Sequence, residues 1–298
     1  MGTEIQTQRP LHALWRLFGL PIIQIIIGIV IVNVVTFIFR SAAQAILSAL
    51  AVEHSTFKSP VVFIVRFLTV YYGYALFVRI SEKRKADEIA IDRKSLGHVL
   101  SGSAVGVLAI GVVVAVLWIL GFFSVVSVND SPTVFEDIMF HSFFAFIQDV
   151  VFIAILFRIL EKSFGTWLSM VVASVIFGFQ HLLYPGQTLL SASAQTIEVG
   201  ILFCSLYVVT RRIWTIFGFH FAWNFIQYAV IGFPVMKDSH PLLVAQFSGP
   251  AIITGSPVGL EASLVTFVVG TGLGLFFLRK AIVLKKLVEP RRKRIPRA

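Results

Sequence analysis

The sequence predicts an all-α, polytopic membrane protein with about eight transmembrane helices. Hydrophobic residues make up 57% of the 298 residues and charged residues only 13%. A soluble domain carries about 25% charged residues, so a soluble globular protein is excluded. The 29 Phe residues and long aliphatic runs exclude a disordered chain. A single cysteine, Cys204, excludes a secreted disulfide scaffold.

The spans follow from the apolar runs, since a transmembrane helix needs about 20 mostly apolar residues. The first run precedes Ala43-Gln44-Ala45, which imitates a signal-peptidase site. It is longer than the roughly 7–15 apolar residues of a signal peptide, so we predict an anchor helix. The predicted spans are 17–39, 60–78, 101–127, 137–157, 166–183, 190–209, 213–233 and 260–278.

The basic residues predict the orientation of these spans. With eight spans, nearly all of the 25 Lys and Arg residues fall on the side that holds both tails. Only Arg40, Lys58 and Lys237 fall on the other side, and Arg66 lies within a span. Positive residues mark cytoplasmic loops, so we predict that both tails are cytoplasmic. The net charge of +10 is therefore assigned to basic flanks rather than to nucleic-acid binding.

The chain divides into four predicted segments. Residues 1–16 form a cytoplasmic tail, 17–135 a scaffold of transmembrane helices, 136–278 a chemical core, and 279–298 a basic cytoplasmic tail. The last segment contains Arg291-Arg292-Lys293-Arg294, which could contact anionic membrane lipids. A solvated orientation signal is the interpretation that we favour for it.

Polar residues at membrane depth are the candidates for function, because burying them in a bilayer is costly. They concentrate in the second half of the chain. The candidates are His141, Gln148 and Asp149 in span four, His181 in span five, Glu198 in span six, and His220 and Asn224 in span seven.

The spacing of these residues suggests a hydrolytic site. His220 and Asn224 are four residues apart and share one helix face. Phe177 and His181 have the same spacing, so the Phe177 ring could pack beside the imidazole. A histidine can move a proton or bind a metal, and an asparagine amide can donate to an oxyanion. A carboxylate facing two histidines could polarise a water or complete a zinc site. The alternative for each residue alone is a hydrogen bond between helices.

Three short motifs resemble the CPBP family of intramembrane proteases, which are related to the CAAX prenyl endopeptidases and to bacteriocin-processing and self-immunity proteins. The second family motif, Phe-x-x-x-His, is intact from Phe177 to His181. The third, His-x-x-x-Asn, is intact from His220 to Asn224. The first, Glu-Glu-x-x-x-Arg, is replaced by the segment that begins at Gln148. The resemblance covers roughly 140–278 and implies a prokaryotic plasma-membrane protein.

The resemblance also implies roles for these residues. His181 would position the attacking water, and His220 and Asn224 would stabilise the oxyanion or, by an older view, help to bind a metal. The water-activating glutamate falls on Gln148, whose carboxamide is not a base at neutral pH. The second glutamate falls on Asp149 and its arginine partner on Ile153, so Asp149 loses its cation.

Three alternatives remain for the missing base. Asp149 is recruited, Glu198 serves instead, or the scaffold is catalytically silent. The implied function is cleavage of a membrane-embedded or lipid-modified peptide. The alternatives are a non-catalytic peptide- or lipid-binding immunity protein and a small-solute transporter. Two alternatives remain for the cofactor: a zinc ion held by His181 and His220, or no cofactor.

Overall fold

A computed structural model describes residues 20–50, 60–184, 186–233, 240–255 and 257–291. This part of the chain is almost entirely helical, which confirms the predicted all-α membrane fold. The predicted N-terminal tail, 1–16, and residues 292–294 of the basic run lie outside the described residues.

Seven described helices are long and apolar enough to cross a membrane. The seventh predicted span, 213–233, is not among these seven helices; it is a helix of 12 residues that continues as a six-residue π-helix. The helices are α1 Pro21–Ala49, α2 Pro60–Ser81, α3 Ser95–Ile119, α4 Val134–Phe164, α5 Thr166–Gln180, α6 Leu189–Thr210, α7 Ile213–Asn224, the short α8 Ala251–Thr254, and α9 Leu264–Val283.

The third predicted span, 101–127, was wrong at its end. Helix α3 ends at Ile119, and Gly121 follows with a φ of 74°, which breaks the helix. The remaining apolar residues form strand β1, Phe123–Val128, which pairs antiparallel with β2, Leu243–Phe247. A short apolar run rich in valine suits either a helix or a strand, so hydropathy alone could not separate the two.

Two site-bearing helices change their winding at the predicted site residues. Helix α4 is α-helical from Val134 to Asp149, π-helical over Val150–Phe157, and α-helical again to Phe164. Helix α7 ends at Asn224, and a π-helix follows over Phe225–Val230. A π-turn shifts the direction of the side chains around it and is frequent at functional sites.

Helix α4 has the largest buried share of the seven long apolar helices, and α1, α2, α5, α6 and α7 contact it. The helices alternate in direction, so one end of the bundle collects Arg84, Arg158, Arg211 and Arg212. We call this end the basic face. The opposite end, which we call the strand face, holds β1, β2 and the described residues 183, 184 and 186–189.

Ion pairs hold the loops of the basic face against the helices. Arg158 contacts Glu82 with N–O distances of 2.5 and 2.9 Å, and Arg84 bonds to both Glu82 and Glu88. On the C-terminal side, the Val288 amide donates to the Thr166 hydroxyl at 2.8 Å. The start of the predicted C-terminal tail is therefore packed on the bundle.

Candidate active site

A cavity of about 400 Å³ lies within the half of the bundle near the strand face. This volume is in the range of small-molecule and peptide side-chain sites. Helices α4, α5, α6, α7 and α9 and the segment before α9 enclose it. Of the seven candidate residues, six line it together: His141, Gln148, His181, Glu198, His220 and Asn224.

Asp149 lies behind the cavity wall, where it contacts His220. Its Oδ1 lies 3.0 Å from His220 Nδ1, and the aspartate is only 1% exposed. A carboxylate accepts hydrogen bonds, so the contact places the imidazole proton on Nδ1. The Nε2 atom of His220 is then the nitrogen that remains for the cavity.

This contact corrects the expectation that Asp149 has no partner. The position of the missing arginine, Ile153, is buried in the apolar core, and Arg158 points instead to Glu82 on the basic face. The imidazole of His220, rather than an arginine, lies beside Asp149. The other carboxylate oxygen, Oδ2, has no hydrogen-bond partner among the described residues.

His181 ends helix α5 and faces the same cavity. Its Nδ1 lies 2.8 Å from the Phe177 carbonyl oxygen one turn earlier, so that atom also carries a proton and donates. The Phe177 ring packs 5.1 Å from the imidazole, centroid to centroid. This is the contact that the four-residue spacing predicted, and it fixes the orientation of the ring.

Gln148 stands near the exposed edge of the cavity. Its amide Nε2 lies 3.4 Å from the hydroxyl of Tyr184, and Tyr184 is 45% exposed. The position at which the family carries its water-activating glutamate therefore holds a neutral side chain that links α4 to the segment after α5.

The structure adds residues that the motifs did not single out. Glu261 lines the cavity from the segment before α9, and Gln195 lines it one turn before Glu198. His141 also faces the cavity, stacked on Tyr228 with ring centroids 5.6 Å apart. The sequence made His141 a candidate but did not single out Glu261, which lies at the very start of the predicted span 260–278.

The donor set does not fit a metal centre. Among the described residues, no group of three or more His, Cys, Asp and Glu side chains is arranged to hold a metal ion. Asp149 contacts His220 from behind the lining, so it does not complete a set of three ligands with His181 and His220. We therefore derive no chemical step through a metal.

The fold and the cavity define an α-helical polytopic membrane protein with a polar, histidine-containing site at membrane depth. A family model described as "Type II CAAX prenyl endopeptidase Rce1-like" matches residues 130–226, which include all three motif positions. The match confirms, for that part of the chain, the resemblance to the CPBP and CAAX-protease-like family. No curated protein matches the chain significantly.

Proposed function

We propose that the protein is a CAAX-type intramembrane endopeptidase whose water is activated by His220, with Asp149 as the positioning residue. The observation that carries the proposal is the 3.0 Å contact between Asp149 Oδ1 and His220 Nδ1. A buried carboxylate that holds one imidazole nitrogen leaves the other free to take a proton, which is the arrangement of many hydrolases.

The other lining residues complete the reaction. His181 Nε2 accepts a hydrogen bond from the attacking water while His220 Nε2 removes its second proton. The Asn224 amide donates to the oxyanion that forms on the scissile carbonyl. The imidazolium of His220, stabilised by Asp149, then returns the proton to the leaving amine. The proposal needs no carboxylate at position 148.

The substrate that fits is a peptide segment in or anchored to the membrane. Apolar side chains such as Phe140, Phe144 and Phe203 line one part of the cavity, beside the polar residues already described. The resemblance over residues 130–226 supports the same substrate class.

The test uses the full chain in lipid vesicles and a library of quenched peptides with and without a lipid anchor. We expect Asp149→Asn to lower kcat by about 10²–10⁴ with little change in KM. His220→Ala should lower kcat as much, and the double variant should lose little more, because the two residues act as one unit. The exposed acid Asp130 provides the matched control, Asp130→Asn, which should stay active.

Other outcomes contradict the proposal in distinct ways. Full activity in Asp149→Asn together with inactive Glu198→Gln would assign the base to Glu198. Cleavage by Gln148→Glu but not by wild type would mean that the scaffold has been silenced and acts by binding. Loss of wild-type activity with a chelator would point to a metal.

A further inference from the structure

Two carboxylates of the cavity take no part in the proposed proton transfer. Glu198 lies on α6, is completely buried, and lines the cavity. Neither of its carboxylate oxygens has a hydrogen-bond partner among the described residues. A buried carboxylate without partners is costly, so this side chain calls for a ligand or a proton.

The second carboxylate, Glu261, is held in a fixed orientation. Its Oε1 accepts hydrogen bonds from Trp223 Nε1 at 3.1 Å and from Gln227 Nε2 at 2.9 Å. The Gln227 amide also lies 3.0 Å from Oε2. These N–H donors suit an ionised carboxylate, which only accepts.

Two glycines let the backbone approach these carboxylates. A Cβ at Gly259, whose φ is 145°, would lie 2.4 Å from Glu261 Oε2. A Cβ at Gly270 of α9 would lie 3.0 Å from the Cβ of Glu198. The acids therefore sit in a closely packed frame rather than in a loose end of the cavity.

The pair has no lysine or arginine partner among the described residues that line the cavity. Glu198 and Glu261 both line this cavity. Two carboxylates in one partly buried cavity repel each other unless they share a proton or hold a cation. Trp223 and Tyr228 line the same cavity, and aromatic rings beside carboxylates favour organic cations.

We propose that Glu198 and Glu261 form a subsite for an alkylammonium or guanidinium group of the substrate peptide, next to the His220–Asp149 pair. The proposal rests on the proposed endopeptidase function for its substrate. It predicts that this protein prefers peptides with a cationic group near the cleaved bond. The group is either a Lys or Arg side chain or a free N-terminal amine.

The first experiment measures binding without cleavage. Butylammonium is the probe, butanol is its uncharged match, and the readout is the thermal unfolding midpoint of the purified full chain. A ligand that binds only the folded state raises this midpoint. We expect butylammonium, but not butanol, to raise the unfolding midpoint of wild type and of Asp130→Asn. Neither compound should raise the midpoint of Glu198→Gln or Glu261→Gln.

The glutamine variants keep the side-chain shape and remove one charge, so they should fold. An equal response to butanol and butylammonium would overturn the subsite, since it would show that the pair only shares a proton. An unchanged butylammonium response in both glutamine variants would overturn it as well.

The second experiment measures cleavage of N-acetylated peptides that carry Lys, Arg or norleucine at one position near the cut. We expect kcat/KM for Lys or Arg to exceed that for norleucine by about tenfold. Glu198→Gln should remove the preference. The norleucine peptide is also tested with a free N-terminus. If its kcat/KM exceeds that of the acetylated form while Lys and Arg give no preference, the N-terminal amine is the ligand.

The two proposals fail differently. Equal cleavage of all peptides by wild type would overturn the subsite and leave the endopeptidase intact. A butylammonium response without cleavage of any peptide would support the cation site and contradict the endopeptidase. The comparison of Lys with norleucine uses wild type alone, so it does not depend on how any variant folds.

Discussion

Buried acidic side chains occur near both ends of this bundle, and their partners differ. On the basic face, Glu82 is surrounded by Arg84 and Arg158. In the cavity, Asp149 has only the imidazole of His220, and Glu198 has no partner among the described residues. A carboxylate with arginine partners stabilises the fold, whereas one without them is available for chemistry or for a ligand.

Glu82 makes the fold sensitive to acid. Burial alone would raise the pKa of Glu82, but hydrogen bonds and charge from Arg158 and Arg84 lower it to about 2. A pKa that is lower in the folded state stabilises the protein above the ordinary value of about 4.5. We expect this stability to be lost as the pH falls from about 4.5 to 2.

The variant Glu82→Gln tests this effect through the pH dependence of unfolding in detergent. It should lower stability at pH 7 by about 3 kcal/mol and flatten the fall between pH 4.5 and 2. Asp87→Asn, an exposed acid of the same loop, should behave as wild type. An unchanged pH profile in Glu82→Gln would contradict the assignment to this carboxylate.

At the scale of elements, helix α3 of the scaffold packs unusually close to α7, which carries His220 and Asn224. Gly102 and Gly106 lie one turn apart on the contacting face of α3. Across the contact, Ser103 Oγ donates to the Gly218 carbonyl at 3.1 Å. Small residues allow such close helix contacts in membranes. The scaffold half therefore positions the site half.

Substitution of two glycines on α3 distinguishes the effect of close packing from the effect of helix propensity. A Cβ at Gly102 would lie 1.9 Å from the Thr215 carbonyl oxygen, but a Cβ at Gly111 would meet nothing within 4 Å. Gly102→Val should lower the unfolding free energy by about 1–3 kcal/mol or more and reduce peptide cleavage. Gly111→Val, with the same change of helix propensity, should do neither. Equal unfolding midpoints for the two variants would show that α3 and α7 do not pack this closely.

At the scale of the whole molecule, hydropathy predicted where the chain crosses the membrane but not how the helices rotate. The run over 166–183 coincides with the helix Thr166–Leu183, because length and apolarity decide a span. The pair of β1 and β2 was missed, since a valine-rich run suits both structures.

In the site, too, the sequence predicted contacts within one helix but not contacts between helices. Phe177 and His181 were paired correctly, because a four-residue spacing fixes a contact within one helix. The contact of Asp149 with His220 joins different helices 71 residues apart, and no local pattern sets their rotation. Glu261 was missed for the related reason that its segment enters the cavity only through the tertiary fold.

The position of the cavity gives a last prediction, on the side from which substrate enters. Thr166 begins α5 at the basic face, and His181 lies fifteen residues later, about 22 Å along the axis. If the basic face is cytoplasmic, as the positive-inside rule predicts, the cavity opens outward. The test uses a Cys204→Ala background and a membrane-impermeant maleimide applied to intact cells. Tyr184→Cys at the cavity edge should react, whereas Asp87→Cys on the basic face should react only after permeabilisation. The background chain, lacking its buried cysteine, should not react at all. The reverse labelling pattern would place the cavity on the cytoplasmic side, and substrate would then have to come from the inner leaflet.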